Sequence, residues 1–382
     1  MKRLLVTFLA FLGLLAIGPV SAIAAGSSSP FVVGQPLTSG PSYDRNSSVV
    51  QDGRYTYMFF ARSQVQPCNR LAPPPDRCDP DQRKYDLYYK KSSDGGDHFG
   101  PAQLAAKNPD PTPDLNGAIG YGGFRGRTIA ATKTGNKVLI YWADGGFQRE
   151  FYEVEKSSGS DTFTTPTPVA GTGVTVFNVE AVTRGDQTLL YTEGTGPGGY
   201  GVYAHTANGP TASPGQLVML DRNIPKAIVD KHNGIIRLTY VDATTYPSVD
   251  VYVNSSPNGL TFSGEHLAVK AGPNESLWDP NLVQLDRGYL LFMAPDRQAG
   301  SGRQQIAVSA SPDFVRWSRP RDITPGSKDG VEYWDYWPEP FRLGDRVSLF
   351  YTSERGFDSN PTGIGHIWTL AGRDGRGDRW DD

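Results

Sequence analysis

The sequence predicts an all-β fold, a six-bladed β-propeller built from four-stranded antiparallel blades. Three observations lead to this prediction: a Ser-x-Asp-x-Gly-x-x-Phe turn recurs along the chain, pairs of apolar strands repeat in one form, and no sustained helical period occurs outside the first residues. The composition, with 44 glycines, 30 prolines and 11% aromatic residues, is typical of short strands joined by tight turns.

The recurring turn is clearest at residues 92–99, where the sequence reads SSDGGDHF. Degenerate copies follow at residues 157–163, 255–262 and 309–317. In such a turn the Asp side chain caps backbone N–H groups, glycine supplies a positive φ and the aromatic residue packs between sheets. The turn therefore indicates the fold and carries no chemistry of its own.

The strand pairs share a polar start, an apolar run, a turn with Asp, Asn or Gly, and a second strand that usually ends near an aromatic residue. Six such pairs cover residues 44–60, 125–142, 178–191, 223–240, 278–293 and 334–351. Third and fourth strands follow each pair, for example at 85–90, 151–155, 249–253 and 305–308. About six blades of four strands result, which predicts one closed domain.

The first residues are typical of an export signal. Lys2 and Arg3 precede an apolar stretch, 4–17, and small residues of a cleavage pattern end at Ala24. A membrane anchor is the alternative, but the stretch is short for a span. We therefore expect a signal peptide at 1–24, a single propeller domain at 25–371, a flexible tail at 372–382, and a secreted or periplasmic protein.

The charge pattern argues against nucleic acid as a partner, because the net charge is −3 and no basic stripe occurs. We expect a monomer without cofactor, metal or membrane span after signal cleavage. Cys68 and Cys78 lie in one Pro-rich loop, 63–83, and export favours a disulfide between them, worth about 2–3 kcal/mol. Two thiols with no nearby His cannot complete a zinc site.

The starts of the predicted innermost strands are unusually polar, and propellers gather such starts around a central funnel. The charged and aromatic residues there are Asp44, Arg45, Arg125, Arg127, Glu180, Lys226, Asp279, Asp335, Tyr336 and Glu339. For any one of these residues, a salt bridge or packing contact between blades explains its position as well as a role in a ligand site does. As a set they predict a ligand site, since convergent buried charges need partners.

Carbohydrate is the ligand that this mixture suits. Carboxylates supply acid and base for glycoside hydrolysis, and arginines bind the carboxylate of an acidic sugar through paired hydrogen bonds. Trp278, Trp334 and Trp337 offer aromatic faces on which a sugar can stack. These tryptophans are explained equally well by packing between blades.

Three segments resemble the six-bladed sialidases (neuraminidases) with their Asp-boxes. The first runs from Arg45 through 59–62 into the turn at 92–96, the second is 303–309, and the third runs from Tyr336 to Tyr351. The resemblance implies that Arg45 and Arg303 bind a substrate carboxylate and that Tyr336 is the nucleophile. It also implies an acid/base Asp in the loop before the turn, a place that Asp79 and Asp81 both fit.

The sequence departs from the sialidase pattern in the fourth blade. Lys226 stands where the family has the Glu that activates its tyrosine, and an Asn-Val-Glu ending at Glu180 lies one blade earlier. Residues 278–283 instead resemble the Asp-Pro strand starts of five-bladed arabinanases and xylosidases. That resemblance implies an Asp base and a Glu acid, roles that Asp44 and Glu180 suit.

The sequence thus predicts a secreted, sialidase-like glycoside hydrolase that acts on a polysaccharide or glycoconjugate. Catalysis is assigned to Tyr336, Glu180, Asp79, Asp81 and Asp44. Substrate binding is assigned to Arg45, Arg303, Arg125, Lys226, Asp279, Trp278, Trp334 and Glu339. Three alternatives remain open: an inverting two-carboxylate glycosidase of arabinanase type, a non-catalytic carbohydrate-binding propeller, and a protein-interaction scaffold.

Overall fold

A computed structural model describes residues 32–33, 36–38, 43–63, 85–109, 128–144, 150–298, 304–324, 333–344, 346–355 and 363–370. All of these residues belong to one compact unit, Phe31–Asp382. One short 3₁₀ helix, Ala243–Thr245, is described, and the remaining elements are strands. Within the described ranges no helix is long and apolar enough to cross a membrane.

The strands form six antiparallel sheets that follow one another along the chain. Strand β1 (Val32–Val33) belongs to the last blade. Blade 1 has β2 (Tyr43–Asp52), β3 (Tyr55–Ser63), β4 (Asp86–Ser92) and β5 (Gln103–Ala106). Blade 2 has β6 (Thr128–Thr134), β7 (Lys137–Asp144), β8 (Glu150–Ser157) and β9 (Thr167–Pro168). Blade 3 has β10 (Thr175–Arg184), β11 (Gln187–Gly196), β12 (Gly199–Asn208), β13 (Thr211–Ala212) and β14 (Gln216–Leu220).

The second half continues in the same way. Blade 4 has β15 (Asn223–Val229), β16 (Ile236–Asp242), β17 (Asp250–Ser256) and β18 (Ser263–Val269). Blade 5 has β19 (Ser276–Gln284), β20 (Tyr289–Asp296), β21 (Ala307–Ser311) and β22 (Arg321–Asp322). Blade 6 has β23 (Tyr333–Leu343), β24 (Arg346–Arg355), β25 (Gly363–Leu370) and the N-terminal β1.

The first strand of each sheet lies innermost, and these strands form a ring. Strand β2 contacts β6, then β10, β15, β19 and β23 follow in turn, and β23 contacts β2 again. This arrangement confirms the predicted all-β propeller of four-stranded antiparallel blades. Five of the sheets have four strands, and blade 3 differs slightly because β14 adds a fifth, pairing with β12 beside β13.

The hydrophobic core lies between neighbouring blades. The cluster between blades 1 and 2 contains Tyr57, Tyr89 and Trp142, of which Tyr57 and Trp142 are fully buried. Strand β4 at this interface alternates in burial: Leu87 and Tyr89 are buried, while the residue between them is half-buried, because successive side chains of a strand point to opposite faces. Each pair of blades thus forms a two-layer β-sandwich.

The recurring turns adopt one hydrogen-bond pattern in blades 1, 4 and 5. In blade 1 the Ser92 hydroxyl accepts from the N–H of Gly96 at 2.8 Å, and Asp94 accepts from the N–H of His98 at 3.0 Å. Ser256 with Asn258, and Ser311 with Asp313, cap the equivalent turns. The copy at 157–163 differs, because its Gly159 N–H donates to Asp52 of blade 1.

In blades 1, 2 and 4 the aromatic residue of the turn packs on the preceding blade. The ring of Phe262 lies 5.8 Å from that of Tyr191, and Phe99 lies at the same distance from Phe350. Phe163 packs 4.9 Å from Tyr89. The turns therefore join blades at the rim while the innermost strands join them at the axis.

Candidate functional site

Five innermost strands contain a bulge shortly after they begin, and in four of them the bulged residue has a positive φ angle. The bulged residues Asn46, Ile224, Asp279 and Trp337 have positive φ angles of 46°, 53°, 51° and 51°. A proline follows the bulged residue in blades 4, 5 and 6, and Ser47 takes that place in blade 1. Proline suits a bulge because it has no N–H to donate to the ladder. The bulges interrupt the pairing register and redirect the residue that follows them.

The redirected residues meet at the axis with residues of the other two blades. The Lys226 ammonium lies 2.9 Å from Glu180 and 3.5 Å from Glu339. Asn281 donates to Glu339 at 2.9 Å. Ser48 donates to the other oxygen of Glu339 at 3.5 Å and accepts from the Ala131 N–H at 2.9 Å. We call Ser48, Ala131, Glu180, Lys226, Asn281 and Glu339 the axial cluster, since each comes from a different innermost strand.

Two carboxylates in the axial cluster share one ammonium. The side chains of Glu180, Glu339 and Lys226 are 14%, 15% and 16% exposed, so a ligand in the funnel can contact them. Burial raises the pKa of Glu180 to about 7, with Lys226 opposing this shift and Glu339 adding to it. Burial alone would lower the pKa of Lys226, but the two carboxylates raise it. A proton therefore resides on Glu180 far more readily than on an ordinary glutamate, while Lys226 stays charged.

Two further carboxylates lie close to the axial cluster. Asp279 is 8% exposed and accepts from the Trp337 N–H at 3.2 Å. Burial raises the pKa of Asp279 to about 7, against the lowering effects of the Trp337 N–H and Lys226. Glu193 is 6% exposed and accepts from the Ile224 N–H at 2.9 Å.

In blades 1, 3, 4 and 6, a backbone N–H near the start of the innermost strand donates to an acceptor of the preceding blade. Three bulge N–H groups, those of Asn46, Ile224 and Trp337, donate to Thr352, Glu193 and Asp279 respectively. In blade 3 the Val179 N–H donates in the same way to Thr128 of blade 2 at 2.8 Å. A backbone N–H that leaves the ladder thus finds a partner across the blade interface, as burial requires.

Four half-buried aromatic residues contact residues of the site or lie next to them in the chain. Phe177 and Tyr200 of blade 3 pack edge to face at 6.0 Å, and Trp278 and Trp337 stand at the bulges of blades 5 and 6. All four are half-buried, so each presents part of a ring to solvent. Such rings bury apolar surface on one side and leave a face for a ligand.

Of the predicted site residues, the structure brings Glu180, Lys226 and Glu339 together, with Asp279 nearby. Asp44, in contrast, is 1% exposed and forms a two-pronged ion pair with Arg62 at 2.6 and 2.7 Å.

The remaining predicted residues lie outside the axial cluster or outside the described residues. Tyr336 is 2% exposed in the core between blades 5 and 6, with its ring 4.8 Å from that of Trp337. Arg45 and Trp334 lie near the starts of β2 and β23. Residues Arg125, Arg303, Asp79, Asp81, Cys68 and Cys78 fall outside the described residues.

The sequence reasoning missed several residues of the site. They are Ser48, Asn178, Glu193, Tyr200, Asn223 and Asn281. A signal existed for Asn281, because the pairs Pro225-Lys226, Pro280-Asn281 and Pro338-Glu339 place a polar residue after the proline of each bulge. Glu193 has no such signal, since it lies in the polar end of a second strand, between Thr192 and Gly194.

Comparison with solved structures places this fold among known propellers. A protein of unknown function from Dyadobacter fermentans aligns with a TM-score of 0.61 at 14% identity, over 89% of this chain and 98% of that one. Trypanosoma rangeli sialidase in complex with the inhibitor DANA aligns with a TM-score of 0.54 at 10% identity, over 85% of this chain and 55% of that one. The Hadza microbial sialidase Hz136 gives 0.54 at 12% identity, over 87% and 66%.

The structural neighbours therefore include sialidases, at identities that show the fold alone. The chain spans about half the length of the trypanosomal sialidase and two thirds of the microbial one. No protein-family model and no curated protein sequence matches the chain. The fold is that of a β-propeller, and in the described part of the chain its axis is lined by carboxylates. No metal-binding group of three or more His, Cys, Asp or Glu side chains occurs in the described part of the chain.

Proposed function

We propose that this protein is an exported glycoside hydrolase of the sialidase-like superfamily, acting on a polysaccharide or glycoconjugate at the axial cluster. The observation that carries the proposal is the pair of partly exposed carboxylates, Glu180 and Glu339, that share the Lys226 ammonium. Half-buried aromatic rings at the starts of the innermost strands supply the faces on which sugars stack. Likeness in fold to sialidases supports the same class.

The geometry supports hydrolysis by two carboxyl groups. Glu180 holds a proton near neutral pH, because burial raises its pKa, and donates it to the glycosidic oxygen as the bond breaks. Glu339, held by Asn281 and Lys226, supports the positive charge that develops on the sugar or activates the incoming water. Lys226 contacts both carboxylates and holds them close to each other.

A tyrosine nucleophile fits the geometry less well. Tyr336 is only 2% exposed among apolar side chains, whereas a nucleophile has to contact the sugar. The two-carboxylate scheme therefore leads, with Glu180 as the acid and Glu339 in place of Asp44, whose oxygens are both engaged by Arg62.

A second candidate is a carbohydrate-binding propeller without catalysis. The observation that favours it is Lys226 itself, which engages both carboxylates from the position where the sialidase resemblance leads us to expect Glu. A carboxylate that is engaged by an ammonium is a weaker base. In this case the axial cluster would recognise a sugar through hydrogen bonds.

One experiment separates the two candidates. The purified protein is screened against arylglycosides and polysaccharides, sialosides included, alongside Glu180→Gln and Glu339→Gln. If the protein is a hydrolase, both variants lose about 10²–10⁴-fold in rate while still binding sugar. Glu155→Gln is the matched control, since Glu155 pairs with Lys137 on blade 2 away from the axis.

The possible outcomes point in different directions. Binding without turnover in the parent protein would favour the carbohydrate-binding candidate. Turnover that survives both substitutions would remove the axial cluster from the mechanism. Neither turnover nor binding across the panel would overturn the proposed function as a whole.

A further inference from the structure

We propose that Glu193, a residue of the second strand of blade 3, is a positioning residue that fixes Lys226 in the axial cluster. Its carboxylate accepts from the Ile224 N–H at 2.9 Å and from the Asn223 amide at 3.4 Å, both in blade 4. It also accepts short hydrogen bonds from Asn178 and Tyr200 of its own blade. One buried carboxylate thus collects four donors from two blades. The functional role of Lys226 rests on the function proposed above, whereas the contacts of Glu193 do not depend on it.

The bulge that Glu193 holds is strained. Ile224 has a φ of 53°, a left-handed conformation that a β-branched residue strongly disfavours. Such a conformation persists where its surroundings impose it. The Ile224 N–H donates to Glu193 instead of to the strand ladder, so the carboxylate is the partner that makes the bulge possible.

The bulge determines where Lys226 points. The pairing between β15 and β16 shifts between Asn223 and Lys226, which places Lys226 opposite Thr239 and directs its ammonium toward Glu180 and Glu339. Because side chains alternate along a strand, a one-residue change of register would turn Lys226 to the other face of the sheet. Loss of Glu193 is therefore expected to release Lys226 from both carboxylates.

Amine labelling tests the proposal without requiring activity. Acetic anhydride at pH 8 reacts with the uncharged amine, and mass spectrometry reports each lysine separately. In the parent protein Lys226 is 16% exposed and its pKa is raised by two carboxylates, so it labels slowly. Glu193→Gln leaves one acceptor oxygen at a place where four donors converge. In this variant we expect Lys226 to be labelled at least ten-fold faster than in the parent. The labelling rate of Lys231 should not change.

Two further variants sharpen the test. Glu265→Gln is the matched control, because Glu265 also accepts from a tyrosine, Tyr240 at 2.6 Å, but on the outer strand of blade 4. This variant should leave Lys226 protected. Ile224→Gly tolerates the left-handed backbone without support. In the double variant Glu193→Gln/Ile224→Gly, Lys226 should again be labelled slowly. A general loosening of the fold would not be reversed by the added glycine.

The outcomes separate this proposal from the proposed function. Parental labelling of Lys226 in Glu193→Gln overturns the positioning role even if the enzyme is active. Faster labelling in a protein without glycosidase activity supports the positioning role and leaves the function in question. If Glu193→Gln labels at every lysine, the double variant with Ile224→Gly decides. Fast labelling of Lys226 in that double variant overturns the proposal.

Discussion

Carboxylate side chains occur in three different environments in this molecule. Asp44 is buried with both oxygens paired to Arg62, Glu180 shares the Lys226 ammonium with a second carboxylate, and Glu153 is 3% exposed with one oxygen that has no hydrogen-bond partner. The sequence pattern selects polar strand starts and treats Asp44 and Glu180 alike. Their partners, Arg62 and Lys226, come from other strands, so the difference between them depends on pairing and not on local sequence.

Glu153 predicts a stability that depends on pH. Burial raises its pKa to about 7, Glu155 adds to the shift and Lys137 opposes it. The folded state therefore binds a proton that the unfolded state releases above its ordinary pKa of 4.5. The stabilising contribution is complete at low pH and is lost as pH rises through about 7. The parent should therefore lose about 2–3 kcal/mol of unfolding free energy relative to Glu153→Gln when the pH is raised from 5 to 8.

Denaturant unfolding of both proteins at the two pH values measures this difference. Glu265→Gln serves as the control, because Glu265 lies on the outer strand of blade 4, away from Glu153. A parent and a Glu153→Gln variant whose stabilities fall in parallel over this pH range would show that Glu153 is not the titrating group.

Tyr336 separates the tyrosine mechanism from the two-carboxylate mechanism. Tyr336→Phe removes only the hydroxyl from a ring packed in the core, so the fold should be retained. With Glu180 as the acid, the hydrolysis rate should stay within a few-fold of the parent. A loss of several orders of magnitude, measured as kcat on an arylglycoside with unchanged thermal stability, would restore Tyr336 as the nucleophile.

At the scale of elements, the innermost strand pairs follow the sequence closely. The predicted pair at 223–240 lies over β15 and β16, and the pair at 278–293 lies over β19 and β20. These segments are predictable because an apolar run with a turn fixes a hairpin locally. The bulges are not, since the acceptor that stabilises Ile224 or Trp337 comes from the preceding blade. The inward direction of Asn281 depends on such a bulge, which explains why the site was only partly predicted.

The turn in blade 1 predicts a test at this scale. Asp94 accepts from the N–H groups of Asp97 and His98 at 3.1 and 3.0 Å. Asp94→Ala leaves both groups without this partner and should cost about 1–2 kcal/mol of folding stability. Asp94→Asn should cost less than about 0.5 kcal/mol, because Asn258 caps the equivalent turn of blade 4 through its carbonyl oxygen.

Thermal unfolding of the two variants beside the parent measures this difference. Equal losses for alanine and asparagine would show that the negative charge, and not the acceptor geometry, stabilises the turn.

At the scale of the whole molecule, the ring is closed by strands from both ends of the described chain. Strand β1 pairs with β25 in the sheet that also contains β23 and β24, with Val32 opposite Trp368 and Val33 opposite Ile367. The last blade therefore combines an N-terminal strand with three C-terminal ones. A ring of blades held at the rim by turns and at the axis by polar contacts resists opening only if every interface is complete.

Removal of β1 tests how much this closure contributes. A chain that starts at Phe31 retains β1, whereas a chain that starts at Pro36 lacks it, and the two differ by five residues. Strand β1 is short, so its backbone hydrogen bonds contribute about 1–3 kcal/mol. The shorter chain should unfold a few degrees lower in calorimetry, in a single transition, because the blades share their cores with their neighbours. It should also dimerise more readily, since the uncovered edge of β25 offers unpaired backbone groups. Equal melting temperatures and equal elution in size-exclusion chromatography would show that β25 needs no partner and that the three C-terminal strands complete the ring by themselves.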